Sequence, residues 1–281
     1  MKENTTLYLS DLDGTLLNQN AELSRHTKDS LNRMIAQGLC FSVATARSAA
    51  SALHILDGVQ WRVPLVLLNG VLVYDAAQKQ YVQVLALPAP AVTGMIAAMQ
   101  SLNATGIMYQ MKNGEQVAYY ETLEHKPLRD FAEERKARYH KTFEQACFAN
   151  VAPEQIIYFT LLDAEDKIRL AHAAFSAIPG ICLSMYEDIY KPGLWYLEIH
   201  SDRATKENGA KYLREAYGFE RVVGFGDNLN DLPLFNACDT RVAVENAKAE
   251  VKAAADFICG TNTGDGVVKW LEAHIAAEAG G

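Results

Sequence analysis

Asp11-Leu12-Asp13-Gly14-Thr15-Leu16-Leu17 follows the short apolar run Leu7-Tyr8-Leu9, with only Ser10 between them. The run reads as a strand, and the glycine after it as a turn. A strand ending this way presents both acids at the carboxyl end of a sheet. In open α/β sheets ligands bind at that end. Two clustered acids there can hold a divalent metal, and one can attack while the other moves protons.

Outward from this stretch, apolar runs alternate with helical spacing. Leu23 to Gln37 carries Leu31, Met34 and Ile35 at helical intervals. Cys40-Phe41-Ser42-Val43-Ala44 reads as a second strand, Ala49 to Leu56 as a helix, and Pro64-Leu65-Val66-Leu67-Leu68 as a third strand. Short, nearly continuous apolar strands between helices predict a parallel sheet covered on both faces.

The rhythm changes after Pro88-Ala89-Pro90. A helix over 92–102 leads into strands at 107–111 and 117–121, around the turn signal Asn113-Gly114. Further on come a charged helix over 128–138, a strand at 156–162, a helix over 167–178, and strands at 181–186 and 195–200. This pattern predicts an α+β domain with a largely antiparallel sheet and helices on one face. The alternating rhythm then returns. A helix over 205–217 precedes the buried strand Val222-Val223-Gly224-Phe225, and helices over 229–236, 248–254 and 266–276 flank a strand at 241–244. The expected organisation is a Rossmann-like core over 1–84 and 193–281, interrupted by an inserted domain over 85–192.

Composition narrows the class. The chain has 281 residues, 49% of them apolar, enough for a sizeable core. The net charge is −8 with no basic run, which argues against a nucleic-acid partner. The five cysteines are scattered and form no C-x-x-C pair, as in a reduced cytosolic protein. The polar start Met1-Lys2-Glu3-Asn4-Thr5-Thr6 fits no signal peptide, and no apolar run reaches transmembrane length. A cytoplasmic location and no membrane association are the expectations.

A second acidic cluster, Gly226-Asp227-Asn228-Leu229-Asn230-Asp231, also lies between a buried strand and a helix. If its strand lies beside the first, four carboxylates converge and repel one another without a cation. All-oxygen ligands select a hard ion, Mg2+ before zinc. Thr45, at the end of the second strand, offers a hydroxyl and a backbone N–H. Lys206, near the start of a helix, can neutralise a phosphoryl oxygen or hold a carboxylate ionised. Gly224-x-Gly226 is no dinucleotide loop, because Leu229 stands where a third glycine is needed.

These motifs resemble the haloacid dehalogenase superfamily, and within it the Cof-type phosphatases with an α/β cap of class C2, of the C2B kind. Asp11-Leu12-Asp13-Gly14-Thr15 matches the first motif, Thr45 the second, Lys206 the third, and Gly226-Asp227-x-x-Asn230-Asp231 the fourth. The inserted domain falls between the second and third motifs, the position that marks a C2 cap. The resemblance implies an aspartyl-phosphate on Asp11, with Asp13 protonating the leaving oxygen and then activating water. It implies Mg2+ held by Asp11, the backbone carbonyl of Asp13, and Asp227. Thr45, Lys206, Asn230 and Asn69 would bind the phosphoryl group, Asp231 would stand in the outer shell, and Arg47 would face the substrate. Small phosphorylated metabolites, sugar phosphates foremost, would be the substrates. Two departures stand out: Thr45-Ala46-Arg47 replaces the usual Thr-Gly-Arg, and Lys206-Glu207-Asn208-Gly209 the usual Lys-Gly.

Two rival readings share the same residues. A phosphosugar mutase would use the same acids. Mutases of this superfamily carry a helical cap between the first two motifs, where Asp13 and Thr45 here leave little room. A signalling receiver also combines acids, a hydroxyl and a lysine on a parallel sheet. It has no inserted domain, and an acid two residues after the nucleophile favours hydrolysis.

Overall fold

The structure, a computed structural model, describes residues 5–139, 141–188 and 191–279, without the side chains of 276–279. Of the polar N-terminal stretch, Met1 to Asn4 lie outside the described residues. The chain opens with β1 (Thr6–Ser10), α1 (Arg25–Ala36), β2 (Cys40–Val43), α2 (Ala49–Ile55), β3 (Leu65–Leu67), β4 (Leu72–Asp75) and β5 (Gln80–Val84). It continues through α3 (Ala89–Leu102), β6 (Gly106–Lys112), β7 (Glu115–Tyr120), α4 (Lys126–Tyr139), β8 (Thr142–Gln145), β9 (Ile156–Asp163), α5 (Glu165–Phe175), β10 (Ile181–Glu187) and β11 (Trp195–Ser201). It ends with α6 (Lys206–Tyr217), β12 (Arg221–Gly226), α7 (Leu232–Asn236), β13 (Thr240–Val244), α8 (Ala249–Ala254), β14 (Phe257–Cys259) and α9 (Gly266–Ala279). Two compact units result: Met1–Gln83 with Thr205–Gly281, and Val84–Ala204.

The first unit is built on a five-stranded parallel sheet in the order β14-β13-β12-β1-β2. Every residue of β1 is buried, as expected of an apolar strand hydrogen-bonded on both sides. Register carries the functional consequence. Ser10 lies level with Phe225 of β12 and Val43 of β2. The residues that follow each strand, Asp11, Asp227 and Thr45, therefore emerge at one edge.

The third strand lies beside β2 as expected, joined by a parallel bridge between Ala44 and Val66, and it also pairs antiparallel with β4. That hairpin follows from a reversal at Leu68-Asn69-Gly70, three successive residues at φ of 49°, 53° and 98°. The resulting small sheet, β3-β4-β5, was not expected from the sequence. Gly70 is needed here twice over: its φ disfavours any side chain, and a Cβ would stand 2.3 Å from the Thr205 carbonyl oxygen. Gly70→Ala should therefore cost about 2–4 kcal/mol by strain and overpacking, read as a lower urea midpoint at unchanged m-value.

Helix starts in this unit follow from local chemistry. The hydroxyls of Ser24 and Thr205 accept hydrogen bonds from the Thr27 and Asn208 N–H groups, capping α1 and α6. The expected helix over 229–236 is a short 3-10 turn, Leu229–Asp231, followed by α7. Asp231 turns its side chain back to the N–H groups of Asp227 and Asn228, which fixes the turn.

The second unit holds a six-stranded sheet in the order β10-β11-β9-β6-β7-β8, antiparallel except where β8 runs parallel to β7. One face buries Phe159, Leu161, Leu197 and Ile199 under α3 and α5. The expectation of helices on one face fails for α4. Its Phe131 ring lies 6.2 Å from that of Tyr196, which neighbours Leu197 on β11 and so points to the opposite face. The second junction also moves. β11 hydrogen-bonds to β9 and β10, so residues 193–204 belong to the insert and not to the core. Strands β8 and β14 are short and lie at sheet edges, where a periodic signal is weakest. None of the five cysteines forms a disulfide.

Candidate active site

The carboxyl edge of the parallel sheet brings together residues far apart in sequence. Asp11 leaves β1 with its N–H donated to the Phe225 carbonyl at 3.0 Å, and is 5% exposed. The Lys206 ammonium, 2% exposed, donates to Asp11 Oδ1 at 2.5 Å and to Asp231 Oδ1 at 2.6 Å. The other oxygen of Asp231 accepts from the N–H groups of Asp227 and Asn228 at 3.0 Å each. Asp227 Oδ1 accepts from the Thr15 hydroxyl at 2.8 Å. A Cβ on Gly14 would fall 2.5 Å from Asp227 Oδ2, so only glycine at φ +84° lets the first loop lie against this carboxylate.

A buried charge is tolerable only when paired and hydrogen-bonded. Lys206 meets that condition with two carboxylates. Burial pushes the Asp11 carboxyl up to about 7; Lys206 opposes the rise, while Asp231 and Asp227 add to it. Burial works against the Lys206 charge, yet Asp11 and then Asp231 hold its ammonium above the ordinary lysine value. Asp227 is also raised, by burial first and by Asp231 next, against the Thr15 hydrogen bond.

A second group lies beside the first. Asp13 is exposed, and Arg47 grips it with a two-point fork, Nε to Oδ2 at 2.7 Å and Nη2 to Oδ1 at 2.5 Å. Arg47 Nη1 also donates to Ser51 Oγ on α2 at 3.1 Å. Expected to face the substrate, Arg47 is thus engaged with an acid of the first motif. Thr45 is buried and tied on three sides. Its N–H donates to the Val66 carbonyl, its carbonyl accepts from the Asn69 N–H, and its hydroxyl accepts from the Arg47 N–H. Ala46 is not among the residues at positive φ, so alanine fits where the resemblance has glycine.

Asn69 is half-buried and joins the group through its backbone bond to Thr45. Asn230 is exposed, and no hydrogen bond to its side chain is found among the described residues. Two contributors escaped sequence reasoning. Thr15 was read only as a letter of the motif, although its hydroxyl is what orients Asp227. Asn246, whose amide donates to the Gly14 carbonyl at 2.7 Å, carries no local signal at all.

The donor set suits a hard divalent cation. Carboxylate oxygens of Asp11, Asp227 and Asp231 lie within 4.8 Å of one another. Asp231 spends both oxygens on protein donors. Asp11 and Asp227 each keep Oδ2 without a protein hydrogen bond among the described residues. All-oxygen coordination by these two fits Mg2+.

Acids and a buried lysine at the strand ends of a parallel sheet define an enzyme site of the α/β class. Residues 8–271 match the haloacid dehalogenase-like hydrolase family. The pyridoxal phosphate phosphatase YbhA of Escherichia coli (strain K12) is 24% identical over 96% of this chain and 99% of its own length. The 5-amino-6-(5-phospho-D-ribitylamino)uracil phosphatase YitU of Bacillus subtilis (strain 168) is 24% identical over 98% of this chain and 100% of its own. The solved structure of the HAD subclass IIB sugar phosphatase BT4131 superposes with a TM-score of 0.69 at 20% identity, covering 96% of this chain and 98% of that one. The chain belongs to the haloacid dehalogenase-like hydrolases. It is a phosphatase of that family, a phosphoric monoester hydrolase.

Proposed function

We propose that the chain is a Mg2+-dependent phosphatase of small phosphorylated metabolites, sugar phosphates foremost, acting through an aspartyl-phosphate on Asp11. The observation that carries this reading is the placement of Lys206. It is buried, and it touches the nucleophile candidate directly. The relatives named for pyridoxal phosphate and for a ribityl phosphate act on small phosphomonoesters, which supports the substrate class. No helix of the described residues is long and apolar enough to cross a membrane. With a net charge of −8 and no basic run, the chain suits a small-molecule substrate in the cytoplasm.

In this mechanism Asp11 attacks phosphorus, and the bond from phosphorus to the ester oxygen breaks. One oxygen of Asp13 turns from Arg47 to protonate that leaving oxygen. Asp13 then takes a proton from the water that attacks the aspartyl-phosphate, releasing inorganic phosphate and restoring Asp11. Lys206, with the Thr45 and Asn69 segment and Asn230, stabilises charge on the phosphoryl oxygens. Asp231 holds Lys206 in place. Asp11, Asp227 and the Asp13 backbone carbonyl would hold Mg2+, which would supply charge neutralisation at the phosphoryl group when bound.

Phosphate release across a panel of phosphorylated sugars, polyols and cofactors, with Mg2+ and with chelator, tests the proposal. Release should require Mg2+. Because a proton on Asp11 competes with the cation, apparent Mg2+ affinity should fall about tenfold per pH unit below about 7 and level off above it. Chelator-resistant turnover, or an affinity flat from pH 5 to 8, would refute the metal assignment.

A further inference from the structure

We propose that Asn246 is a positioning residue for Asp13, acting through the Gly14 peptide. This rests on the reading of Asp13 as proton donor to the leaving group. Asn246 follows β13, in the loop that leads to α8. Its Nδ2 donates to the Gly14 carbonyl at 2.7 Å, and its Oδ1 accepts the Asn262 N–H at 2.9 Å. Donor and acceptor are both used, so the amide has a single orientation. Asn262 in turn donates from Nδ2 to the Leu17 carbonyl at 2.8 Å, at the exit of the same loop. Two residues beyond Asn246, the Lys248 N–H donates to the Asp227 carbonyl at 2.9 Å. One short segment thus ties the first acidic loop to the second.

The geometry of the first loop shows why this tie matters. Asp13 is extended, at φ −75° and ψ 116°, and the chain reverses at Gly14, at φ 84° and ψ −8°. The Gly14 carbonyl belongs to the peptide that joins the turn to Thr15, so displacing it shifts the Gly14 turn from which Asp13 projects. Thr15 is held by Asp227. The Asp13 side chain is held by Arg47, a contact that must loosen when the proton moves. The Gly14 carbonyl is the handle that persists through that step, and Asn246 grips it. Asn246 itself is exposed, so it has no core to fill. Its two hydrogen bonds are its connection to the catalytic loop.

Asn246→Asp separates positioning from general support. It keeps the size and the acceptor for Asn262, but sets a carboxylate oxygen against the Gly14 carbonyl. First-turnover rates at saturating Mg2+ and substrate would be measured with two esters. One is an alkyl phosphate the wild type hydrolyses, such as glycerol 3-phosphate, whose leaving oxygen needs a proton. The other is p-nitrophenyl phosphate, whose leaving group needs little help. The alkyl phosphate rate should fall about 10- to 100-fold, and the p-nitrophenyl phosphate rate less than about threefold, with KM within about twofold for each. Asn246→Ala should show the same ratio, and supplies the test if the aspartate variant does not fold. Equal losses on both esters, or no loss on either, overturn the proposal. A wild type that releases no phosphate from any member of the metabolite panel would instead overturn the phosphatase mechanism itself.

Discussion

Asp11→Asn should reduce phosphate release at least about 10⁴-fold while the protein stays folded. The amide has the shape of the carboxylate and still offers Lys206 an oxygen, but it cannot form the acyl phosphate. Lys206 keeps its ion pair with Asp231. The same variant should also change how stability depends on pH. Burial raises the Asp11 carboxyl from 3.8 to about 7 in the folded protein. A group raised in this way contributes stability below its unfolded value and loses it as pH climbs through the folded one. Metal-free wild type should therefore lose of the order of a few kcal/mol between pH 4 and pH 8 from this residue, and the asparagine variant should not. Urea unfolding in chelator at both ends of that range reads the difference. Normal hydrolysis of p-nitrophenyl phosphate by the variant would remove Asp11 as nucleophile. A variant less stable than wild type at pH 8 would remove burial as the dominant force on it.

Lys206→Met is the counterpart, and there the expected damage is to stability as well as to rate. Methionine fills nearly the same space but leaves Asp11 and Asp231 buried without their cation. Breaking a buried pair in this way costs about 3–5 kcal/mol at neutral pH. The loss should shrink toward pH 5, because without the ammonium the Asp11 carboxyl rises further and takes a proton there. Turnover should fall by about 10²–10³ from lost stabilisation of the phosphoryl oxygens. Lys211→Met on the same helix is the control. Lys211 itself is half exposed and pairs at the surface with Glu207, and such pairs contribute at most about 1 kcal/mol. Equal effects at 206 and 211 would show that the buried cation does not organise the site.

The pattern of success in the sequence is physical. Asp11, Asp227 and Thr45 could be placed because each stands within two residues of the end of an apolar run, and parallel strands end at a common edge. Lys206 could be placed because Thr205 marks the start of its helix. Side-chain direction was not available in the same way. Arg47 pairs with Asp13 through the path of the loop from β2 to α2, which no residue pattern encodes. The turn from β3 into β4 depends on Leu68 adopting positive φ, which its residue type does not advertise. The face on which α4 packs rests on Leu128, Phe131 and Ala132, three apolar residues in a helix otherwise dominated by charge. The expected end of the insert at 192 falls at Pro192-Gly193, residues that punctuate chains, yet β11 hydrogen-bonds past that point into the inserted sheet.

The neighbours of β1 on its two sides arrive at very different times. β2 follows within the first segment of the chain, while β12 is made only after the whole insert. During synthesis the first strand therefore waits with one edge unpaired, and Asp11 waits without Lys206. The insert has its own sheet and its own core, and can fold during that interval. A nascent chain released early would expose an apolar strand edge and lack the pairing of Asp11 with Lys206. Assembly of the candidate site thus follows completion of the insert, set by the order in which the ribosome delivers the strands.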